Sequence, residues 1–462
     1  MRDFKMIKLK TVLCVALGAT LSGGAYAKVS PEEAKKLGNE LTPSGAERAG
    51  NADGSIPEWD GGLTIPPASF QLGQHATNPF PADKVLFTIN ASNAEQYQEQ
   101  LSPGQLAMLK AYPDSWKMNV YQTRRTHANP EHVYEATRNN AITAELIDNG
   151  NGISGAVVGV PFPIPKGASE VIWNHLTRYR GETFLRYLAE AAVEKNGSFS
   201  TIRSRDTFKM RYAQQGMTAD ALENIMYFYK QWTISPSRLA GDVVLVHDTM
   251  NQVAEPRKAW VYDPGQRRVR RAPTVAYDGP GPGRGTEGFR VTDNYDMFNG
   301  AQDRYDWKLI GKQELFIPYN SYKLHSDPAV TMDNLIQPKH LNPEPLRYEL
   351  HRVWVVEGVL KDTARHIYAK RIFYVDEDSW QIAITDHYDG HGELWRVGEA
   401  HALSFYRIPL TWLTAEVLYD LISNKYIITG NLDRSDPVHE FNDELTLRDK
   451  DFTPAALRRE GR

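Results

Sequence analysis

Between residues 350 and 397 the chain reads LHRVWVVEGVLKDTARHIYAKRIFYVDEDSWQIAITDHYDGHGELWRV, and this stretch leaves little freedom in the fold. Runs of aromatic and β-branched residues are separated by short polar groups at 361–363, 376–379 and 389–392. Branched and aromatic side chains fit a pleated surface, while Asp and Gly accept turn dihedrals, so the pattern is a four-strand meander. In the first strand Val353, Val355 and Val359 alternate with Trp354, Val356 and Leu360, so both sets are apolar. Successive side chains point to opposite faces, and each face of this strand therefore needs cover, from protein or from an apolar ligand.

The same chemistry extends upstream. TFLRYLAEAAVEKNGSFSTIRSRDTFKMRY places Asn196-Gly197 between two long arms, a hairpin signal because both turn residues tolerate positive φ; the Ala-rich first arm also suits a helix. DVVLVHDTMNQVAEPRKAWVYDPGQRRVRRAP gives three strands with a tight turn at 263–266, and DWKLIGKQELFIPYNSYKL gives one more. Helix signals lie mostly earlier. Capping boxes begin at Ser30, Ser92 and Ser102, the first opening a helix to about Leu41, and further helices are predicted over 168–179 and 219–232. TPSGAERAGNADGSIPEWDGG, 42–62, reads as ordered turns, and PFPIP, 161–165, as an extended connection.

No alternating strand–helix rhythm is present, so the sheet is antiparallel, and so many strands left flat would expose long edges. The predicted fold is α+β: a large curved antiparallel sheet, an incomplete β-barrel, with helices covering the concave face. One domain is expected over 28–462, with a helix- and turn-rich part (28–180) and a strand-rich part (181–410).

Residues 1–27 read as a cleaved secretory signal peptide: Arg2, Lys5, Lys8 and Lys10 precede the apolar 11–24, and Ala25-Tyr26-Ala27 is a cleavage pattern. Met6 is as good a start as Met1. The only cysteine, Cys14, lies inside the apolar run and follows Leu13, which does not suit lipidation. The expected location is the periplasm. Beyond the leader no cysteine remains for a disulfide or thiolate chemistry. The formal charge of −4 becomes more negative once four basic residues and Asp3 are removed, which argues against a nucleic acid partner.

Five blocks, TPSGAERAGNADGSIPEWDGG, PFPIPKGASEVIWNHLTRYRG, KLIGKQELFIPYNSYKL, RYELHRVWVVEGVLKDTARHIYAKRIFYVDEDSW and HYDGHGELWRVGEAH, run from Thr42 to His401. They resemble the successive blocks of a proteobacterial family of unknown function labelled outer membrane lipoprotein-sorting-like. The resemblance implies an unclosed antiparallel barrel with a helical lid, like the LolA/LolB periplasmic lipoprotein carriers. It also implies a setting beside RND-type exporters and outer membrane proteins. The family has no agreed functional residues to carry over.

The functional reading is a periplasmic protein that binds a lipid or other hydrophobic molecule and transfers it between membranes, with an RND-type exporter as a partner. Trp260, Tyr262, Trp354, Val356, Phe373, Trp380 and Ile382 are the candidate ligand-binding residues, since aromatic and apolar strand residues line greasy cavities. Core packing is an equal account of each. The alternatives are an envelope hydrolase using a carboxylate/His cleft and an accessory protein of an exporter with no ligand of its own. No catalytic residue, metal ligand or cofactor is assigned: G-x-S-x-G, H-E-x-x-H and P-loop patterns are missing. Asp376, Glu377 and Asp378, like Asp389 and His391, are expected in solvated turns. Gly279–Gly285, GPGPGRG, reads as a mobile loop. Arg267, Arg268, Arg270 and Arg271 read as a charged edge strand, with anionic lipid headgroups as the alternative contact.

Overall fold

The computed structural model describes residues 29–272, 277–279, 289–433, 436–441 and 445–460. The leader with Cys14, and the Gly-rich loop beyond Gly279, lie outside them.

Short strands come first in the chain: β1 (Phe87–Ile89), β2 (Met118–Val120), and a separate hairpin of β3 (Glu145–Ile147) and β4 (Gly152–Ser154). A first meander then runs through β5 (Thr183–Val193), β6 (Phe199–Lys209), β7 (Ile225–Ser235), β8 (Val243–Thr249), β9 (Lys258–Asp263) and β10 (Arg268–Ala272). A second runs through β11 (Tyr305–Pro318), β12 (Tyr348–Leu360), β13 (Lys370–Asp376), β14 (Ile382–Tyr388), β15 (Leu394–Phe405), β16 (Leu410–Asp420) and β17 (Lys425–Gly430), with β18 (Glu440–Phe441) added beside β5. β17 pairs with β5, Ile428 opposite Ala191, and this joins the two meanders into one sheet. The sheet does not close: among the described residues its path ends at β1 and β10, and β11 flanks β12 as a further edge. Among the described residues of this sheet pairing is antiparallel except for one parallel bridge, Tyr348 to Val120, which attaches β2 and β1.

The sheet is rolled. From β13 to β7 is seven strand spacings, roughly 34 Å if flat. Yet the adjacent residues Phe298 and Asn299 touch both ends: the Phe298 ring lies 5.3 Å from that of Phe373, and Asn299 Nδ2 donates to Tyr227 Oη at 2.8 Å. Strand periodicity then separates two cores. Trp354, Val356, Phe373, Val375 and Ala400 face inward, while Val353, Val355, Tyr374 and Val397 face outward. The expected two-sided burial of β12 holds from Val353 to Val356; Val359 is exposed.

Helices α1 (Pro31–Ala34), α2 (Pro103–Ala111), α3 (Glu131–Thr143), α4 (Ala168–Thr177), α5 (Ala219–Leu222), α6 (Tyr322–Ser326), α7 (Met332–Leu335) and α8 (Pro454–Glu460) complete the described elements together with short 3-10 turns. α4 packs into the concave core. α2 and α8 back the convex face, through Met108 and Leu109 against Val397, and Leu457 against Val243 and Leu245.

Three helix expectations are corrected. The helix from Ser30 stops at Ala34, and the chain turns through Gly38 at φ +85°. The box at Ser92 leads only to a 3-10 turn, Ala94–Gln100, with Asn93 at its start. The helix predicted over 219–232 ends at Leu222, because Glu223 and Asn224 both take left-handed dihedrals. The aromatic run that follows pairs with β6 and β8 as β7. The Ala-rich arm of the Asn-Gly hairpin is a strand, since β6 and β17 flank it and cross-strand pairing outweighs alanine's local preference. α3 was not anticipated. Its buried face includes Thr137 and Asn140, polar residues that disguise the helical period.

Candidate functional site

The inward face of β5 to β8 forms aligned rows. Phe208 stands opposite Tyr229 and Tyr229 opposite Val246; in the next row Arg186 faces Asp206, Asp206 faces Gln231 and Gln231 faces Val244. A third row sets Leu188 against Ser204 and Thr233, and a fourth runs from Glu416 through Thr429 and Glu190 to Ile202. These rows floor a cavity of about 130 Å³, and segment 290–299 roofs it with Thr292, Tyr295, Asp296 and Asn299.

The roof is fastened by ion pairs. Asp296 accepts from Arg178 at 2.6 Å and from Arg180 at 2.5 Å, and the Trp412 indole donates to it at 3.2 Å. Burial opposes its ionisation, but the two guanidiniums outweigh this and hold the carboxyl well below its usual range. Arg290 bridges Glu416 at 2.8 Å and Glu190 at 3.3 Å, and the Met297 backbone N–H donates to Glu416. Arg257 grips Asp248 at the far flank.

Arg186 is different. Among the described residues its nearest carboxylate, Asp206, stands at 3.5 Å and its Nε has no hydrogen-bond partner, while its guanidinium lies 4.4 Å from the Trp412 ring centre and within 6 Å of Phe184 and Phe208. Asp206 is fully buried, and burial pushes its carboxyl upward against the pull of Arg186 and Gln231. The cavity thus offers aliphatic and aromatic walls, from Leu188, Ile202, Val244, Val246 and Phe208, beside a cation and an acid that are only loosely paired.

None of the seven sequence-derived ligand candidates lines this cavity. Five come together in the concave core under α4: Trp354 and Trp380 stack at 6.4 Å, Phe373 meets Phe298, Val356 is fully buried, and the Ile382 backbone N–H donates to His175 Nδ1. Trp260 and Tyr262 sit on the convex face, Tyr262 in the cluster with Phe452 and Leu457, and Trp260 edge-on to His247. The cavity residues Arg186, Asp206, Tyr229 and Glu416 were not singled out. Their signal is a period-2 set mixing charge with aromatics, on β5 (Phe184, Arg186, Leu188, Glu190) and on β6 (Ile202, Ser204, Asp206, Phe208).

One expected solvated turn is buried. Asp376, Glu377 and Asp378 are each about 2% exposed or less. Arg125 makes two hydrogen bonds to Asp378, while Lys312 and Arg352 hold Glu377. Countercharges from distant segments make the burial tolerable. The next turn, with His391, is exposed as expected. β10 forms a sheet edge, with Arg268, Arg270 and Arg271 exposed.

The pattern described as "Protein of unknown function (DUF1329)" matches residues 88–458. The chain belongs to this family. Over 461 residues, the full length of both chains, it is 49% identical to the uncharacterized protein PA3922 of Pseudomonas aeruginosa. Among solved structures, a Vibrio parahaemolyticus domain named for outer membrane lipoprotein sorting is similar at TM-score 0.43 and 16% identity, over 63% of this chain and 98% of that one. A DUF1329 protein from Desulfovibrio piger follows at TM-score 0.40 and 14% identity, over 60% and 92%. The LolA superfamily protein NE2245 of Nitrosomonas europaea follows at 0.37 and 13%, over 63% and 98%. Among the described residues of this DUF1329 chain no helix is long and apolar enough to cross a membrane.

Proposed function

We propose that this DUF1329 protein is a periplasmic carrier, taking a lipid or similar hydrophobic molecule with a polar end into the cavity floored by β5 to β8. It passes that molecule between membranes in company with an RND-type exporter and an outer membrane protein. The observation that carries the reading is the roofed cavity itself, because an unclosed rolled sheet keeps space that its own side chains do not fill. Burying an acyl chain against Leu188, Ile202 and Val246 is worth roughly 0.8 kcal/mol per CH₂, enough to hold it out of water without any chemistry. Arg186, loosely paired and framed by aromatic rings, is the natural partner for the polar end.

A hydrolase would need a free acid and base in the same cleft. Asp296, Glu416 and Glu190 are bound to arginines, which leaves Asp206 and favours the carrier. The test is mass spectrometry of organic extracts of the protein purified from its own host. A molecule near stoichiometric amount is expected from the wild type, with strong depletion in Leu188→Trp, which fills the cavity. Extracts no richer than those of an unrelated periplasmic protein, or equal yields from wild type and Leu188→Trp, count against the carrier.

A further inference from the structure

The turn between β13 and β14 holds a second polar site, on the convex side and separate from the cavity. His351 on β12, Asp376 at the end of β13 and Asp378 in the turn are all buried, and one metal-binding atom of each lies within 4.8 Å of the others. The imidazole is set from behind. Glu349, held by Arg347 at 2.5 Å, by Asn320 at 3.0 Å and by the Arg124 backbone N–H at 2.7 Å, faces His351 Nε2 at 3.3 Å. A carboxylate in that place takes the proton-bearing ring nitrogen and leaves Nδ1 with a bare lone pair.

Nδ1 then looks across 3.9 Å at Asp376 Oδ1. That is too long for a hydrogen bond; two nitrogen or oxygen ligands on one tetrahedral cation at about 2.0–2.2 Å stand roughly 3.3–3.6 Å apart, so the pair would draw together by a few tenths of an ångström on binding. Among the described residues Asp376 Oδ1 accepts a hydrogen bond only from the Asp378 backbone N–H, at 3.4 Å, while Oδ2 is taken up by Ser379. Arg125 holds both oxygens of Asp378, at 2.7 and 3.0 Å, and each keeps a second lone pair. The Tyr319 ring stacks on His351 at 4.0 Å, and its hydroxyl is buried with no hydrogen-bond partner among the described residues.

We propose that His351, Asp376 and Asp378 bind a divalent transition-metal cation, with zinc as its best representative, in a structural site that fastens the β13–β14 turn to β12. The Tyr319 hydroxyl or a water fills the fourth position. One imidazole, two carboxylates and no thiolate suit zinc and its neighbours better than copper(I), and the outer carboxylate of Glu349 is the usual support of a metal-bound histidine. A buried water is the rival occupant, but it brings two protons to three acceptors.

The experiment uses the full mature chain without a polyhistidine tag, stripped with a chelator and titrated with ZnCl₂. Thermal unfolding is followed, and bound metal is measured by plasma mass spectrometry. The wild type is expected to take up about one zinc and to melt several degrees higher. Asp376→Asn, which keeps the side-chain shape, loses both responses, and Glu349→Gln binds zinc roughly tenfold more weakly. No zinc-dependent rise in the wild type overturns the assignment, as does a rise that Asp376→Asn leaves intact. Should Asp376→Asn not fold, an unchanged zinc affinity in Glu349→Gln overturns it instead.

Discussion

Asp386 shows how burial sets a residue's behaviour. It accepts from the Gly104 backbone N–H at 3.1 Å, from Ser102 Oγ at 3.3 Å and from Tyr374 Oη at 3.1 Å, all within the convex core. Burial still prevails and pushes its pKa up to about 7; burial likewise raises Glu399 to about 7. A carboxyl whose folded pKa lies above its unfolded value near 3.9 stabilises most below about pH 4, and that contribution is lost as pH rises to about 7. Asp386→Asn is therefore expected to gain on the wild type between pH 5 and pH 8 by on the order of 2 kcal/mol, read as the difference of their urea unfolding curves. Arg125→Ala acts in the opposite sense. It strands the buried Asp378 and costs about 3–5 kcal/mol in the same measurement at pH 7. Neither environment was legible in the sequence. Asp376, Glu377 and Asp378 have the composition of an open turn, and only the fold brings Arg125, Lys312 and Arg352 against it.

At the scale of elements, local signals were clearest where they agreed with pairing. The Ser102 capping box forms, with Gln105 reaching back to the Ser102 backbone N–H at 3.0 Å, and α2 follows as read. The meander of β12 to β15 and the Asn-Gly hairpin also follow from turn chemistry and period 2. The region 219–232 failed because Ala219 to Leu222 begins a helix that two left-handed residues end, and the aromatics beyond belong to their strand neighbours. Gly104 shows a constraint no local rule contains: a Cβ there would stand 2.1 Å from Asp386 Oδ1 and 2.8 Å from Val397. Gly104→Ala should therefore cost about 2 kcal/mol or more through overpacking, against about 1 kcal/mol for Ser102→Ala, which loses the cap and a long hydrogen bond to Asp386 but meets no clash. Equal losses for the two variants in denaturant unfolding would remove the steric account of Gly104.

For the whole molecule, the sequence carried the architecture further than the site. Strand count and antiparallel sense are local properties, but the cavity depends on β17 finding β5, and that pairing brings Trp412 over Arg186. Occupancy of the cavity should register globally, since anything bound only to the folded state stabilises it. Extraction with detergent is expected to lower the melting temperature by roughly 2–4 °C, and adding back the extract should restore it. β16 is buried along its entire length, whereas β10 bares its arginines at a margin. In deuterated solvent β10 should label within the earliest time points and β16 last of all. Such a protein is pinned at its keel: its gunwales can be recut by drift and selection while the hull stays watertight.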